Sequence, residues 1–364
     1  LGKDYAFVSP AGVLGWVPGF ENRKMLLTVK PPQEWKRATL HCAPPTKDGT
    51  VQAGDYFELI DSPFVIGENL TVETRSVGKG KEVVTVGFGK PELKLGPIAD
   101  LLADLAKENE KLFGENPVDR FVLLCDFDGF ASGLEHRASS RVGLWSTSPQ
   151  QVQGLISHEY FHIFNIKRIR PKGIGPLDLT QPAKTPSLWF AEGVTDYYAE
   201  VILTRLGRQT KQEFLKGMAT MLQRFQQRRS RSQATAIESS LRVWEVKGSQ
   251  GYGISYYEVG WLIGATLDLA IRRESKQKFS LDDVMRALYK SHKRPDGFTE
   301  VELRQICTTY GGPQLGEIYD DCVNSTGSPP LGQELRSAGY TWNGRDLVAP
   351  EETRHKYPYD LRSP

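Results

Sequence analysis

Gly154-Leu-Ile-Ser-His158-Glu159-Tyr-Phe-His162-Ile-Phe-Asn165 is the stretch on which the reading of this chain turns. It sets two histidines four residues apart, with a glutamate directly after the first, in a run of mostly apolar side chains. Upstream, Ser148 suits an N-cap and Pro149 suits a first helical turn, so the spacing predicts a helix from Ser148 through His162. Residues four apart stand one turn up the same helix face, which lets both imidazoles reach one ion at about 2.0–2.1 Å. Glu159 is rotated from His158 by roughly 100°, toward the place of an attacking water. A chance HExxH is usually a polar pair on a solvated face. Here only six histidines occur in the chain and the apolar flanks would bury the motif, which disfavours that reading.

A catalytic zinc ion takes three protein ligands and keeps a fourth position for water. The third ligand is expected at Glu192, in Leu188-Trp-Phe-Ala-Glu192-Gly193-Val-Thr-Asp196-Tyr-Tyr198, 30 residues beyond His162. A helix is predicted from near Ser187, after Thr185-Pro186, to Leu206, with Gly207 as its C-cap. It can pack antiparallel on the HExxH helix, and Gly193 would let those two helices approach closely. Asp196, one turn beyond Glu192, is a candidate to accept a hydrogen bond from the far nitrogen of a ligating histidine; its bland alternative is an exposed helical carboxylate.

Working outward, residues 1–92 carry short runs such as Met25-Leu-Leu-Thr-Val and Glu82-Val-Val-Thr-Val-Gly-Phe between Pro-Pro, Asp-Gly and Lys-Gly-Lys turn signals, the pattern of a β domain. From Ile98 the spacing becomes helical, Phe121-Val-Leu-Leu-Cys reads as a strand, and a second extended segment runs from Leu134 to Trp145. Residues 93–206 are therefore expected to form a metal-binding α+β subdomain. Residues 207–342 are expected to be a helical subdomain, with helices over 212–229, 256–273, 280–291 and 299–310. A Thr299–Glu302 capping box opens the last of these, and 343–364 forms a tail. The fold class expected is α+β.

The net charge of +2 offers no electrostatic footprint for nucleic acid or an anionic membrane. The longest apolar stretch, Gly260–Ile271, is broken by Asp268 and is too short for a membrane span. Cysteines at 42, 125, 307 and 322 form no CxxC pair and read as structural, with a Cys307–Cys322 disulfide the alternative to two buried thiols. The chain begins Leu-Gly-Lys, as a processed product would, and export is favoured over the cytoplasm. His41, His292 and His355 lack partner spacing and are read as non-functional. Lys167, Arg168 and Arg170 are read as capping a helix end, and Arg224, Arg228, Arg229 and Arg231 as a solvated helix end.

His158 to Pro171, Leu188 to Tyr198, Ser132-Gly-Leu-Glu-His136 and Asp55-Tyr-Phe-Glu-Leu-Ile-Asp-Ser-Pro63 together resemble the glycyl aminopeptidase family of gluzincin metallopeptidases. The resemblance implies an N-terminal β domain followed by a thermolysin-like catalytic domain. A PDZ domain commonly follows in that family, and no segment of that size is expected after about residue 342. It also implies a zinc metallopeptidase that releases small N-terminal residues such as glycine or alanine. Tyr257, in Tyr256-Tyr257-Glu258-Val259-Gly260, resembles the oxyanion-stabilising tyrosine of related aminopeptidases, with valine where they carry lysine; a core tyrosine is the alternative.

From the residues themselves, Glu159 is the expected base and then acid, with Zn2+ as cofactor. Gly133 and Glu135 lie in an extended segment suited to an edge strand that pairs with substrate, and the Glu135 carboxylate suits a free α-ammonium. His136, on the other strand face, is expected to be structural. Two alternatives remain: a zinc endopeptidase of the same fold, and a non-catalytic peptide-binding scaffold.

Overall fold

A computed structural model describes residues 4–35, 37–38, 50–175, 178–245, 252–291, 296–342 and 347–348. The readings of Cys42, His41, His292 and His355 fall outside these residues, as does nearly all of the expected tail. The chain divides into two compact units, Leu1–Glu110 with Glu115–Ile163, and Lys111–Gly114 with Phe164–Pro364.

The first unit is built on strands. A three-stranded antiparallel sheet joins β1 (Tyr5–Val8), β5 (Phe64–Gly67) and β3 (Arg37–Ala38), and β2 (Met25–Thr28) pairs with β4 (Thr50–Ala53). The short helix α1 (Tyr56–Ile60) lies between β4 and β5, capped by the Asp55 carboxylate on the Glu58 amide. The main sheet has the order β6 (Thr71–Gly78), β7 (Lys81–Phe88), β8 (Arg120–Asp126), β10 (Ser139–Gly143), β9 (Ser132–Glu135). Its three central strands run parallel and its two outer strands antiparallel to their neighbours.

The expected boundary near residue 92 falls inside this unit. There β7 pairs with β8 from Glu82–Arg120 to Phe88–Asp126, so strands on both sides of residue 92 share one sheet. The extended segment expected from Leu134 to Trp145 is a hairpin, β9 turning back on β10. Phe121 to Cys125 are fully buried because β8 is covered on both faces. Val122 and Leu124 join Val65, Leu70, Val84, Val86 and Phe88 in a core roofed by Tyr5 and Phe7. On the opposite face Phe121 meets Tyr160 edge-on at 4.9 Å. Each such apolar side chain contributes roughly 1.5–3 kcal/mol on burial. Helix α2 (Gly96–Phe113) links β7 to β8, and α3 (Pro149–Phe161) packs on β9 and β10.

The second unit is helical: α4 (Thr195–Arg205), α5 (Lys211–Gln227), α6 (Ala236–Leu241), α7 (Tyr256–Glu274), α8 (Leu281–Lys290), α9 (Glu300–Gly311), α10 (Gln314–Asn324) and α11 (Leu331–Ser337), with a small β11–β12 pair at Thr341–Trp342 and Leu347–Val348. Helix α7 is buried almost all round and touches each of the other helices named. At its centre the Asp268 carboxylate accepts from Tyr197 Oη at 2.9 Å, Arg272 Nε at 3.2 Å and the Leu281 amide at 2.8 Å. Tyr198 and Arg205 hold Asp282 in the same way. The capping box expected at Thr299 and Glu302 forms, and others open α5, α6 and α8.

Helices α10 and α11 escaped the sequence reading. Gly311-Gly312-Pro313, Gly316 and Gly332 weaken their local signal, and packing of α10 on α7 and α9, and of α11 on α7, offsets that deficit. Cys307 on α9 and Cys322 on α10 are buried free thiols.

Candidate active site

Two clusters of the expected residues form, one in each unit. In the first, α3 supplies both histidines. Ser148 takes the N-cap position with Pro149 after it, but its hydroxyl turns to Gln150 Oε1 at 3.0 Å and makes no capping bond. His162 stands at the C-cap with helical backbone. The two Nε2 atoms are 2.9 Å apart and the rings cross at 89°, with both side chains buried. Two nitrogens bound to one tetrahedral ion at 2.0–2.1 Å stand about 3.3 Å apart. A movement of a few tenths of an ångström therefore turns this pair into two metal ligands, and imidazole nitrogen is the donor zinc prefers beside thiolate. The pair fits the ion that the motif implies.

Glu159 is 4% exposed and lies against β9. A β-carbon at Gly133 would stand 1.8 Å from Glu159 Oε1, so glycine is required there for the carboxylate to lie where it does. Gly133 thus makes room for the Glu159 carboxylate. Among the described residues, strand β9 is the edge of the main sheet, paired with β10. Glu135, two residues on and therefore on the same strand face, joins Glu159 and His162 in a group whose donor atoms all lie within 4.8 Å of one another. His136 is buried and bound through Nδ1 to Asp61 Oδ1 at 2.9 Å, the structural placement expected of it.

In the second unit, the predicted helix from Ser187 to Leu206 is broken in character. Trp189–Val194 is a π-helical turn that passes into α4 at Thr195, and Glu192 sits within that turn. Single π-turns inside α-helices recur at functional sites. The turn is steadied by Asn165, whose buried amide donates to Phe190 O at 2.9 Å and Thr195 Oγ1 at 3.0 Å. Asn165 carried no expected role, although a lone amide in the apolar run Ile163-Phe-Asn165-Ile was the available signal.

The role expected of Gly193 is corrected. Its missing β-carbon is filled by α7, because an added Cβ would meet Gly260 Cα at 2.5 Å and Tyr257 O at 2.7 Å. That close crossing brings the tyrosines of α7 to Glu192. Tyr256 and Tyr257 stack with centroids 4.7 Å apart. Burial first, then the Glu192 carboxylate, push Tyr256 up to about 12 and Tyr257 well above the ordinary phenol range. Asp196 adds to the rise at Tyr257, so Glu192 and Asp196 share the face turned to it. Both phenols keep their protons at neutral pH and remain hydrogen-bond donors. Tyr256 was not foreseen as a neighbour of Glu192.

The sequence model of the M61 glycyl aminopeptidase matches residues 151–263, and that of the peptidase M61 N-terminal domain matches residues 1–68. No curated protein matches the chain. Among solved structures, an aminopeptidase N family protein from Idiomarina loihiensis superposes with a TM-score of 0.81 at 26% identity, over 93% of this chain and 62% of its own length. An M1 zinc metallopeptidase from Deinococcus radiodurans, in a mutant form bound to a Tyr-Ser-Ala substrate, gives 0.50 at 14% identity over 85% of this chain and 63% of its own. A two-domain M1 zinc metallopeptidase mutant bound to L-tryptophan gives 0.56, also at 14% identity, over 85% of this chain and 63% of its own, and the likeness to both is one of fold. The chain spans less than two thirds of the length of these structures. With its HExxH helix and Glu192 segment inside one matched region and its β-rich start inside the other, the chain is similar to the M61 glycyl aminopeptidase family over these two segments.

Proposed function

We propose that this protein is a zinc-dependent aminopeptidase that removes small N-terminal residues, glycine or alanine, from peptides with a free amine. The observation that carries the reading is the buried pair of imidazoles on α3, Nε2 to Nε2 at 2.9 Å, with Glu159 beside them under Gly133. His158, His162 and Glu192 would hold the ion, offering two ring nitrogens and one carboxylate oxygen, the donor set of a hydrolytic zinc centre. When bound, zinc supplies Lewis acidity, polarising the scissile carbonyl and acidifying water.

The chain's own groups do the rest. Glu159 takes the proton of the attacking water and returns it to the leaving amine. Tyr257, kept protonated by burial and by Glu192, donates toward the oxyanion. The outer edge of β9 receives the substrate backbone, and Glu135 on that strand holds the α-ammonium, which fixes the cut after the first residue. Asp196 would orient a ligating imidazole. Glycyl selectivity finds support in the family description.

Glu159→Gln should keep zinc and lose about 10²–10⁴ in kcat, the span of general-base catalysis. Elemental analysis alongside aminoacyl-reporter hydrolysis reads both. Full turnover in that variant would end the base assignment, and an absence of zinc from the reconstituted wild type would end the proposal.

A further inference from the structure

An edge strand is the least constrained strand of a sheet, because it has ladder hydrogen bonds on one side only. Strand β9 has four residues and, among the described strands, pairs only with β10, yet it carries both the glycine that clears Glu159 and the glutamate that would hold the substrate amine. Misplacement of such an anchor by about 1 Å costs on the order of a hundredfold in rate. Something other than the ladder must fix it.

The Asp61 carboxylate does so at one end. It follows α1, where the Asp61 amide returns to Phe57 O at 3.1 Å. Oδ1 accepts from His136 Nδ1 and Oδ2 from the Arg137 amide, each at 2.9 Å, so both oxygens grip the two residues directly after Glu135. A carboxylate can only accept, which places the imidazole proton on Nδ1. His136 is 6% exposed and its Nε2 has no partner among the described residues, leaving Asp61 as the polar anchor of the ring. At the other end Asp126 accepts from the amides of Asp128 and Gly129 and from Arg141, and Arg141 also donates to Ser132 Oγ, the first residue of β9. Two segments quoted for the family resemblance, Asp55 to Pro63 and Ser132 to His136, thus meet through one carboxylate.

We infer that Asp61 and His136 form a clasp that positions Glu135 for the substrate amine, with Arg141 securing the opposite end of the strand. The inference rests on the proposed function, in which Glu135 is the amine anchor. Asp61 and His136 touch no substrate; they are positioning residues acting through Glu135.

Asp61→Asn and His136→Leu in the zinc-loaded protein should lower kcat/KM on free-amine peptides about tenfold or more, mainly through KM, with zinc content unchanged and N-acetylated peptides unaffected. His136→Asn keeps a donor toward Asp61 and should restore most of the loss. In a Glu135→Gln background Asp61→Asn should have no further effect, since coupled residues are not additive. Amide hydrogen exchange at 132–135 should quicken in Asp61→Asn and His136→Leu and stay near wild type in His136→Asn. Equal losses on free and blocked peptides, an undiminished penalty in the Glu135→Gln background, or unchanged exchange would overturn the clasp. A wild type that cleaves blocked and free peptides equally would instead overturn the anchor role of Glu135, and the exchange measurement would still decide the clasp.

Discussion

At the scale of single residues, the packing of Glu159 against Gly133 shows how a one-atom difference sets the position of a carboxylate. Alanine at 133 would put a carbon 1.8 Å from the carboxylate, so Gly133→Ala should displace the base and cost at least about 10² in kcat while zinc stays bound. Activity and metal content measured on one sample check this. The grouping of His158, His162 and Glu192 could be anticipated from the chain because metal ligation would demand particular side chains at particular spacings. Glu200 could not be, since its behaviour depends on what surrounds it. Burial, then Asp196 one turn away, raise it to about 7 from an ordinary value of 4.5. The folded state therefore holds a proton there that the unfolded state releases. Its stabilising contribution is complete below about pH 4.5 and is lost as pH rises through about 7. Glu200→Gln should flatten the fall of Tm over that window and leave a variant more stable than wild type at pH 8. An unchanged Tm–pH profile would contradict the shift.

Among elements, the π-turn at Trp189–Val194 and the helix that grips it account for what helical periodicity missed. An apolar pattern of period 3.6 persists across a single wide turn, so Leu188 to Leu206 reads as one helix. What widens the turn lies elsewhere in the second unit: Asn165 takes up Phe190 O, and Gly260 of α7 approaches so closely that its own β-carbon would stand 2.0 Å from Trp189 O. Gly260→Ala should therefore cost about 1–3 kcal/mol by overpacking. It should also weaken zinc binding by moving Glu192, read by thermal unfolding and by competition with a chromophoric chelator. If the variant keeps wild-type stability, the crossing is looser than it looks. The capping box at Thr299 was legible because its partners are three residues apart, and the α7 crossing was not, because Gly193 and Gly260 are distant in sequence.

For the whole molecule, a ligand held only by the native state stabilises it in proportion to RT ln(1 + [L]/Kd), about 4 kcal/mol at a thousandfold excess over Kd. Chelation should accordingly lower Tm in the wild type and leave it unchanged in His158→Gln. A chelator-insensitive wild type would show that no ion is bound there. Reductant should leave Tm unmoved, since Cys307 and Cys322 are free thiols. Among the described residues no helix is long and apolar enough to cross a membrane, in line with the interrupted stretch before Ile271. The α+β class, the β-rich start, most helices and the grouping of His158, His162 and Glu192 were legible in the chain itself, because period, capping and donor spacing are local properties. Tertiary structure alone decided that β7 joins β8 across residue 92, that Gly193 serves α7, and that Asp61 reaches His136 from 75 residues away. Those pairings depend on which distant surfaces can be buried together, and no local pattern encodes that choice.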